Sequence, residues 1–346
     1  MSPVFENIAL GGRETPSRSQ ETGEPGLAGR RAWIISDGVA GHLAITSGIA
    51  DLLGLDAEIK PIAPRLIWRH LAPNGPADPR LLRPLLADAL PDIVLGAGRQ
   101  TVPVIRALKR AGVFTALFQS PRASRKSAHV IWVPAHDRLR GANVIVTLTP
   151  PNRFSAATLE ALRHALPAEI AALPRPRLAL LLGGPGAGYE YDSEAVADFA
   201  ARLAAMAGQA GSILITPSRR TPPELLEAAD RATRHRPRLL WNGLGDNPYP
   251  HILAAADHFV VTADSVNMTG EACATGRPIH VFTPPGGRGK FHRYHRALQD
   301  YGATRPMADS GAGLADWSYE PLQASAFVAA EIEARWRFFR QEALDS

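Results

Sequence analysis

Asp37 and His42 stand five residues apart in the stretch Ser36-Asp37-Gly38-Val39-Ala40-Gly41-His42, directly after an apolar run. A carboxylate and an imidazole on a compact loop at a strand end can take a proton from a hydroxyl, so either is a candidate general base. The plain alternative is that Asp37 caps the next helix and His42 packs against it. A second pattern lies at Val260-Val261-Thr262-Ala263-Asp264-Ser265-Val266-Asn267-Met268-Thr269-Gly270-Glu271-Ala272, where a strand runs into a small polar turn and then a helix. Amides at the start of that helix, together with its dipole, suit an anion. Ser265 and Thr269 would sit beside that anion. Glu271 is expected in the first helical turn, where it would cap the backbone or take the hydroxyl pair of a sugar. A capped helix without ligand accounts for the same residues.

Further loops follow strands and add to this chemistry. Leu182-Gly183-Gly184-Pro185-Gly186-Ala187-Gly188 would let the main chain approach a diphosphate at Gly184 and Gly186. It has neither the dinucleotide spacing nor the lysine of a Walker loop. Thr216-Pro217-Ser218-Arg219-Arg220-Thr221 offers the Ser218 hydroxyl and the Arg219 fork to a phosphate, or else a helix cap with solvated arginines. Trp241-Asn242-Gly243 could hold a nucleobase, although core packing of Trp241 is the simpler reading, and Phe282 to His292 reads as a mobile basic loop able to close over a leaving phosphate or as a plain exposed loop. Arg99, after Gly96-Ala97-Gly98, and Arg122, after Phe118-Gln119-Ser120-Pro121, would suit an acidic or phosphorylated acceptor, or serve as surface ion-pair partners.

The elements that must position these groups alternate short apolar strands with helices, which is the pattern of a doubly wound parallel sheet, and the alternation runs twice. At 346 residues the chain is long enough for two domains, with 45% hydrophobic residues to build their cores. We expect a disordered tail over 1–29, an amino-terminal Rossmann-like domain over 30–172 that binds the acceptor, and a second over 176–321 that binds the donor. The proline passage 167–176 reads as the linker, and an amphipathic helix over 322–346 is expected to pack back on the first domain. Two such α/β domains in tandem place a cleft between the carboxyl edges of their sheets. No apolar run is long enough to span a bilayer and no secretory signal is visible. The single cysteine, Cys273, excludes an internal disulfide and a multi-cysteine zinc site. A cytoplasmic location is expected, and a peripheral contact with the inner membrane is compatible with the terminal helix. The net charge of +5 rests on scattered arginines without interleaved aromatics, so no nucleic-acid partner is expected.

Taken together, these loops resemble the GT-B class of glycosyltransferases, which has two Rossmann-like doubly wound parallel-sheet domains facing across a cleft. More closely, Ser36-Asp37-Gly38 with Gly41, Gly96-Ala97-Gly98-Arg99, Thr216 to Thr221 and Thr262 to Ala272 resemble the bacterial relatives of the plant mitochondrial fission factor. The plant member is known as a recruiter of a dynamin-like protein, and the bacterial members look like glycosyltransferases. The resemblance implies a donor site on Gly184, Gly186, Ser218, Arg219, Asn242, Ser265, Thr269 and Glu271, and leaves the base open between Asp37 and His42. The expected reaction is metal-independent transfer of a sugar from a nucleoside-diphosphate sugar to a hydroxyl acceptor such as a cell-envelope glycolipid. No cofactor is expected, the nucleotide-sugar being a substrate. No Asp-x-Asp pair occurs in the chain. A non-hydrolysing nucleotide-sugar epimerase and a non-catalytic scaffold are the alternatives.

Overall fold

The structure is a computed structural model that describes residues 26–119, 122, 124–307 and 313–344. The chain forms two compact units, Met1–Arg153 with Gln323–Ser346, and Phe154–Leu322. In the first unit six strands, β1 (Arg31–Ser36), β2 (Asp56–Pro61), β3 (Ile93–Ala97), β4 (Phe114–Phe118), β5 (Val130–Pro134) and β6 (Val144–Thr147), make one sheet in the order β2-β1-β3-β4-β5-β6. Every pairing is parallel. β3 and β4 are buried along their whole length, so they read as unbroken apolar runs, whereas the edge strand β2 is mostly exposed and carries Glu58 and Lys60.

Helices cover both faces of this sheet. On one face α1 (Ala40–Leu52) contributes Ile45 and Ile49 to a core completed by Val328, Ile332 and Trp336 of α12 (Ala324–Leu344). On the other, α4 (Val102–Arg110) contributes Val104, Ile105 and Leu108, with α3 (Pro79–Ala87) packed outside it after the short α2 (Leu66–Leu71). The sheet order reverses between β1 and β3. In open α/β folds the loops leaving the carboxyl ends of two such strands diverge, and a crevice opens between them.

The second unit repeats the plan. Its strands are β7 (Arg177–Leu182), β8 (Ser212–Pro217), β9 (Arg238–Leu240), β10 (His258–Thr262), β11 (Ile279–Phe282) and β12 (Thr304–Pro306), in the order β12-β11-β10-β7-β8-β9. All of these pair in parallel, and the order reverses between β7 and β10. The helices are α5 (Ala156–His164), α6 (Ala168–Ala171), α7 (Ser193–Ala207), α8 (Pro223–Thr233), α9 (Tyr249–Ala255), α10 (Val266–Cys273) and α11 (Gly289–Tyr301). Among the described residues no helix is long and apolar enough to cross a membrane.

Four expectations change. Most of the tail lies outside the described residues, but its end is built into the fold: Leu27 is buried in the first core and Gly29 donates its N–H to Gly54 O at 2.7 Å. The units divide at Arg153/Phe154, ahead of the proline passage. α6 occupies that passage and packs with α5 on α9, so this segment belongs to the second unit. The basic stretch after β11 stops being a loop at Gly289, where α11 begins. Its preceding turn is pinned, since Gly287 N and Arg288 N donate to Gly188 O (2.8 Å) and Ala187 O (2.9 Å).

Two measurements check the packing of the first unit. Trp336 is fully buried, edge-on to Phe114 with centroids 5.6 Å apart. Trp336→Ala should cost about 3–5 kcal/mol by leaving a cavity, read as an earlier urea midpoint; an unchanged midpoint would remove α12 from the core. His129 lies flat on Phe114 at 5.2 Å, and its Nδ1 accepts from Thr115 N at 3.1 Å, which requires the unprotonated nitrogen. Burial, reinforced by the Lys109 charge, pushes the imidazole down to about 4. The unfolded chain, with a pKa of roughly 6.5, therefore binds a proton that the native state refuses. Stability from this group is full above about pH 6.5 and declines as pH falls toward about 4. In His129→Asn, whose Oδ1 replaces the acceptor, the loss of melting temperature between neutral and acid pH should be smaller than in wild type; equal slopes would refute the assignment.

Candidate active site

In the first unit the crevice between β1 and β3 holds Asp37 and His42. β1 delivers Asp37 one residue beyond its end, and α1 begins soon enough that His42 falls in its first turn. His42 Nδ1 lies 3.0 and 3.1 Å from the two Asp37 carboxylate oxygens. An ionised carboxylate only accepts, so Nδ1 carries the proton and, in the neutral ring, Nε2 keeps its lone pair. The Asp37 side chain is 10% exposed and that of His42 19%. Asp37 Oδ1 also accepts from Val39 N at 3.2 Å, and Ser36 Oγ accepts from Gly38 N at 3.2 Å, which fixes the turn. Asp37 does not cap α1, whose cap position is Val39 with no side-chain bond.

Gly98, on the loop leaving β3, closes this pocket. Its φ of +88° is in the left-handed region, and a Cβ there would stand 2.5 Å from His42 Cε1 and 2.6 Å from Asp37 Oδ2. Only glycine admits the pair at that distance. Arg99 next to it is exposed and donates from Nη2 to His70 O at 3.0 Å, at the end of α2. Arg122 is exposed beyond β4 with φ +49°. Ser120 and Pro121 of the same loop lie outside the described residues.

In the second unit the crevice between β7 and β10 is organised by Asp264, which the reading of candidate residues omitted. Its carboxylate is fully buried and accepts from Gly184 N (3.0 Å), Tyr191 Oη (2.6 Å) and Arg220 Nη2 (3.1 Å). A Cβ at Gly183 would run into that carboxylate, and one at Gly184 into Arg220 O. The loop glycines thus make room for Asp264 and the loop after β8, and the Gly183 and Gly184 amides are spent inside the protein, Gly183 N on Thr262 Oγ1 at 2.7 Å. Burial first, and the Asp264 charge second, hold the Tyr191 phenol well above its usual range, so it stays a donor. The position of Asp264 in the turn that follows a strand was the available signal. Tyr191, far along the loop after β7, gave none.

The other expected donor residues divide sharply. Ser265 caps α10 with no side-chain bond to the backbone, and the first-turn amides of Val266, Asn267 and Met268 show no acceptor among the described residues. Thr269 is completely buried and its hydroxyl already donates to Ser265 O at 2.8 Å, so it shapes the turn and has no free donor for a ligand. Glu271 is in the second turn, since α10 starts at Val266, and its carboxylate accepts from Tyr249 Oη. Ser218 Oγ is within 3.2 Å of Thr221 Oγ1. Gly186 lies against the Arg220 guanidinium. Arg219 is exposed, and its neighbour Arg220 is the arginine tied into the crevice, also donating to Pro185 O at 3.2 Å. Asn242 is exposed, with Oδ1 accepting from Leu244 N at 3.0 Å. The structure therefore brings Ser265, the start of α10, Gly184, Gly186 and Arg220 together, while Arg219 and Asn242 stand on the surface of neighbouring loops.

Known proteins share this architecture. The Listeria monocytogenes structure assigned as a UDP-N-acetylglucosamine 2-epimerase superposes with a TM-score of 0.54 at 13% identity, covering 91% of this chain and 98% of that one. A transferase of the UGT type from Siraitia grosvenorii in complex with UDP gives 0.50 at 13% identity over 90% and 94%. At such identities the likeness speaks for the fold, the two-unit α/β arrangement of the GT-B type. By sequence, the Arabidopsis thaliana mitochondrial fission protein ELM1 is 29% identical over 269 residues, 70% of this chain and 63% of its own length. An uncharacterised Rickettsia prowazekii protein is 28% identical over 191 residues, 52% of this chain and 51% of its own length. The chain thus spans less than two thirds of the curated relatives it matches. The profile of mitochondrial fission ELM1 proteins matches residues 40–336, from the start of α1 to Trp336 in α12, and the chain belongs to that family.

Proposed function

We propose that this protein transfers a sugar from a nucleoside-diphosphate sugar to a hydroxyl acceptor, with His42 as general base. The observation that carries the reading is the Asp37–His42 pair at the switch point of the first sheet. Asp37 fixes the imidazole so that Nε2 takes the proton as the acceptor oxygen attacks the anomeric carbon and the diphosphate leaves. Asp37 also steadies the imidazolium that forms. In the second unit the open amides at the start of α10 and the Arg220 guanidinium supply donors for the departing diphosphate, without a metal in the scheme. Arg219 and Asn242 would reach the nucleotide from adjacent loops, and Arg99 and Arg122 an anionic acceptor. The GT-B fold supports this reading, as does the UDP held by the Siraitia transferase.

Incubation with a panel of UDP-sugars, following free UDP, tests the chemistry. His42→Ala should lower turnover by about 10²–10⁴-fold with UDP affinity unchanged, and Asp37→Asn should act in the same direction. Full turnover in both variants would overturn the assignment. An isomerised sugar without acceptor would replace it with epimerase chemistry.

The donor assignment has its own test. Val266→Pro deletes one first-turn amide while suiting the first position of a helix. UDP affinity measured by calorimetry should then fall about tenfold, the worth of one hydrogen bond to a charged group, with the melting temperature preserved. Unaltered affinity would detach α10 from the nucleotide. Family membership favours a second reading, a scaffold for a protein partner. That reading is distinguished by the absence of any UDP binding in the wild-type chain.

A further inference from the structure

A second collection of chemistry lies away from the strand edge that carries Asp37 and His42. α4 runs from the carboxyl end of β3 back toward the start of β4, and Ser127 lies shortly before β5. There, at the amino edge of the first sheet, a cavity of about 610 Å³ is lined by Arg106, Lys109, Arg110, Lys126, Ser127 and the loop around Asn74. Among the described residues four cations line it and no carboxylate does.

The end of α4 does not explain so much charge. A helix carboxyl terminus carries roughly half a negative charge, which one cation offsets. What partners the cations have are main-chain carbonyls. Arg106 donates to Pro73 O (3.2 Å) and Asn74 O (3.1 Å), and Lys109 Nζ to Lys126 O and Ala128 O, each at 3.1 Å. An ammonium has three donors, so Lys109 retains one. Burial lowers the Lys109 pKa, and burial first, with the Arg110 charge second, lowers that of Arg106. Ser127 adds an independent sign: it is completely buried, and its hydroxyl has no hydrogen-bond partner among the described residues. An unpaired buried hydroxyl is costly unless something completes it.

We propose that this cavity binds a phosphate-bearing anion, free or on a lipid headgroup, through Arg106, Lys109, Arg110 and Lys126, with the Ser127 hydroxyl as a further contact. A single carboxylate would leave most of the cationic charge uncompensated, whereas a multiply charged phosphate group matches it. The volume suits a small molecule bearing such a group. The inference stands apart from sugar transfer, because none of these residues belongs to the catalytic edge.

The test uses the full chain at low salt with inorganic pyrophosphate as probe, followed by calorimetry, and with vesicles of phosphatidylcholine alone or mixed with phosphatidic acid, followed by flotation. Arg110→Glu with Lys126→Glu reverses two exposed charges and should not disturb folding, which the melting temperature without ligand checks. Wild type should bind pyrophosphate, and the double variant at least about tenfold more weakly. Ser127→Ala should weaken binding while leaving the melting temperature of the free protein unchanged. Flotation with acidic vesicles, lost in the double variant, in a chain that ignores pyrophosphate would assign the anion to a lipid headgroup. Pyrophosphate binding without flotation would assign it to a free ligand. Absence of both, or affinities that the double substitution does not alter, would overturn the proposal. His42→Ala should leave pyrophosphate binding intact, so failure of the catalytic reading would not count against this one.

Discussion

The second unit depends on one buried charge. Asp264 sits where the sheet reverses between β7 and β10, with no solvent access to its carboxylate. A carboxylate stripped of water is costly unless donors replace the solvent. Here an amide, a phenol and a guanidinium do so, the first two from the loop after β7 and the third from the loop after β8, all distant from Asp264 in sequence. The requirement runs outward: Gly183 and Gly184 must lack side chains, Arg220 must turn inward, and Tyr191 must remain protonated. Satisfying Asp264 therefore sets the path of the loops after β7, β8 and β10. Among the described residues, the backbone amides at the start of α10 are left unengaged in this crevice.

The first unit solves the same topological problem differently. At its reversal, between β1 and β3, the carboxylate of Asp37 is satisfied mainly by one imidazole. A carboxylate bonded to Nδ1 transmits its basicity to Nε2, whereas one closed off by three donors has nothing left to give. Gly98 draws the comparison closer, since it admits the pair by lacking a side chain just as Gly183 admits Asp264. The corresponding reversals of two similar sheets thus carry a carboxylate–imidazole pair in one and a structural hub in the other.

What could be read from the sequence follows from how far each signal reaches. The buried strands were legible because parallel strands covered on both faces are uninterrupted apolar runs, as Leu178 to Leu182 and Phe259 to Val261 are. Asp37 and His42 were legible as a pair because they lie within one turn-and-helix. The short α2, α5, α6 and β12 carry no comparable pattern, their placement being decided by tertiary contact, as with α5 and α6 on α9. Choosing Arg219 over Arg220 was beyond local reasoning, since adjacent residues on a loop differ only in which one meets Asp264. Glu271 was placed one turn early because Ser265 and Thr269 are equally good caps on paper, and the backbone starts the helix at the first.

The arginine excess shows why composition alone misleads about partners. Many guanidinium groups here end on main-chain carbonyls at loop and helix ends: Arg99 on His70 O, Arg125 on Arg140 O, Arg163 on Ala254 O, Arg177 on Leu173 O and Ala171 O. A fork of five donors suits this task, and its charge then faces solvent as a by-product of capping. Counting such residues toward a polyanion surface overstates the attraction, because their geometry is already committed. Positive charge becomes informative about a ligand only where it gathers without carboxylates and beside an unsatisfied polar atom. Among the described residues the cavity at the end of α4 meets that condition, and a tally of charged residues would never have found it.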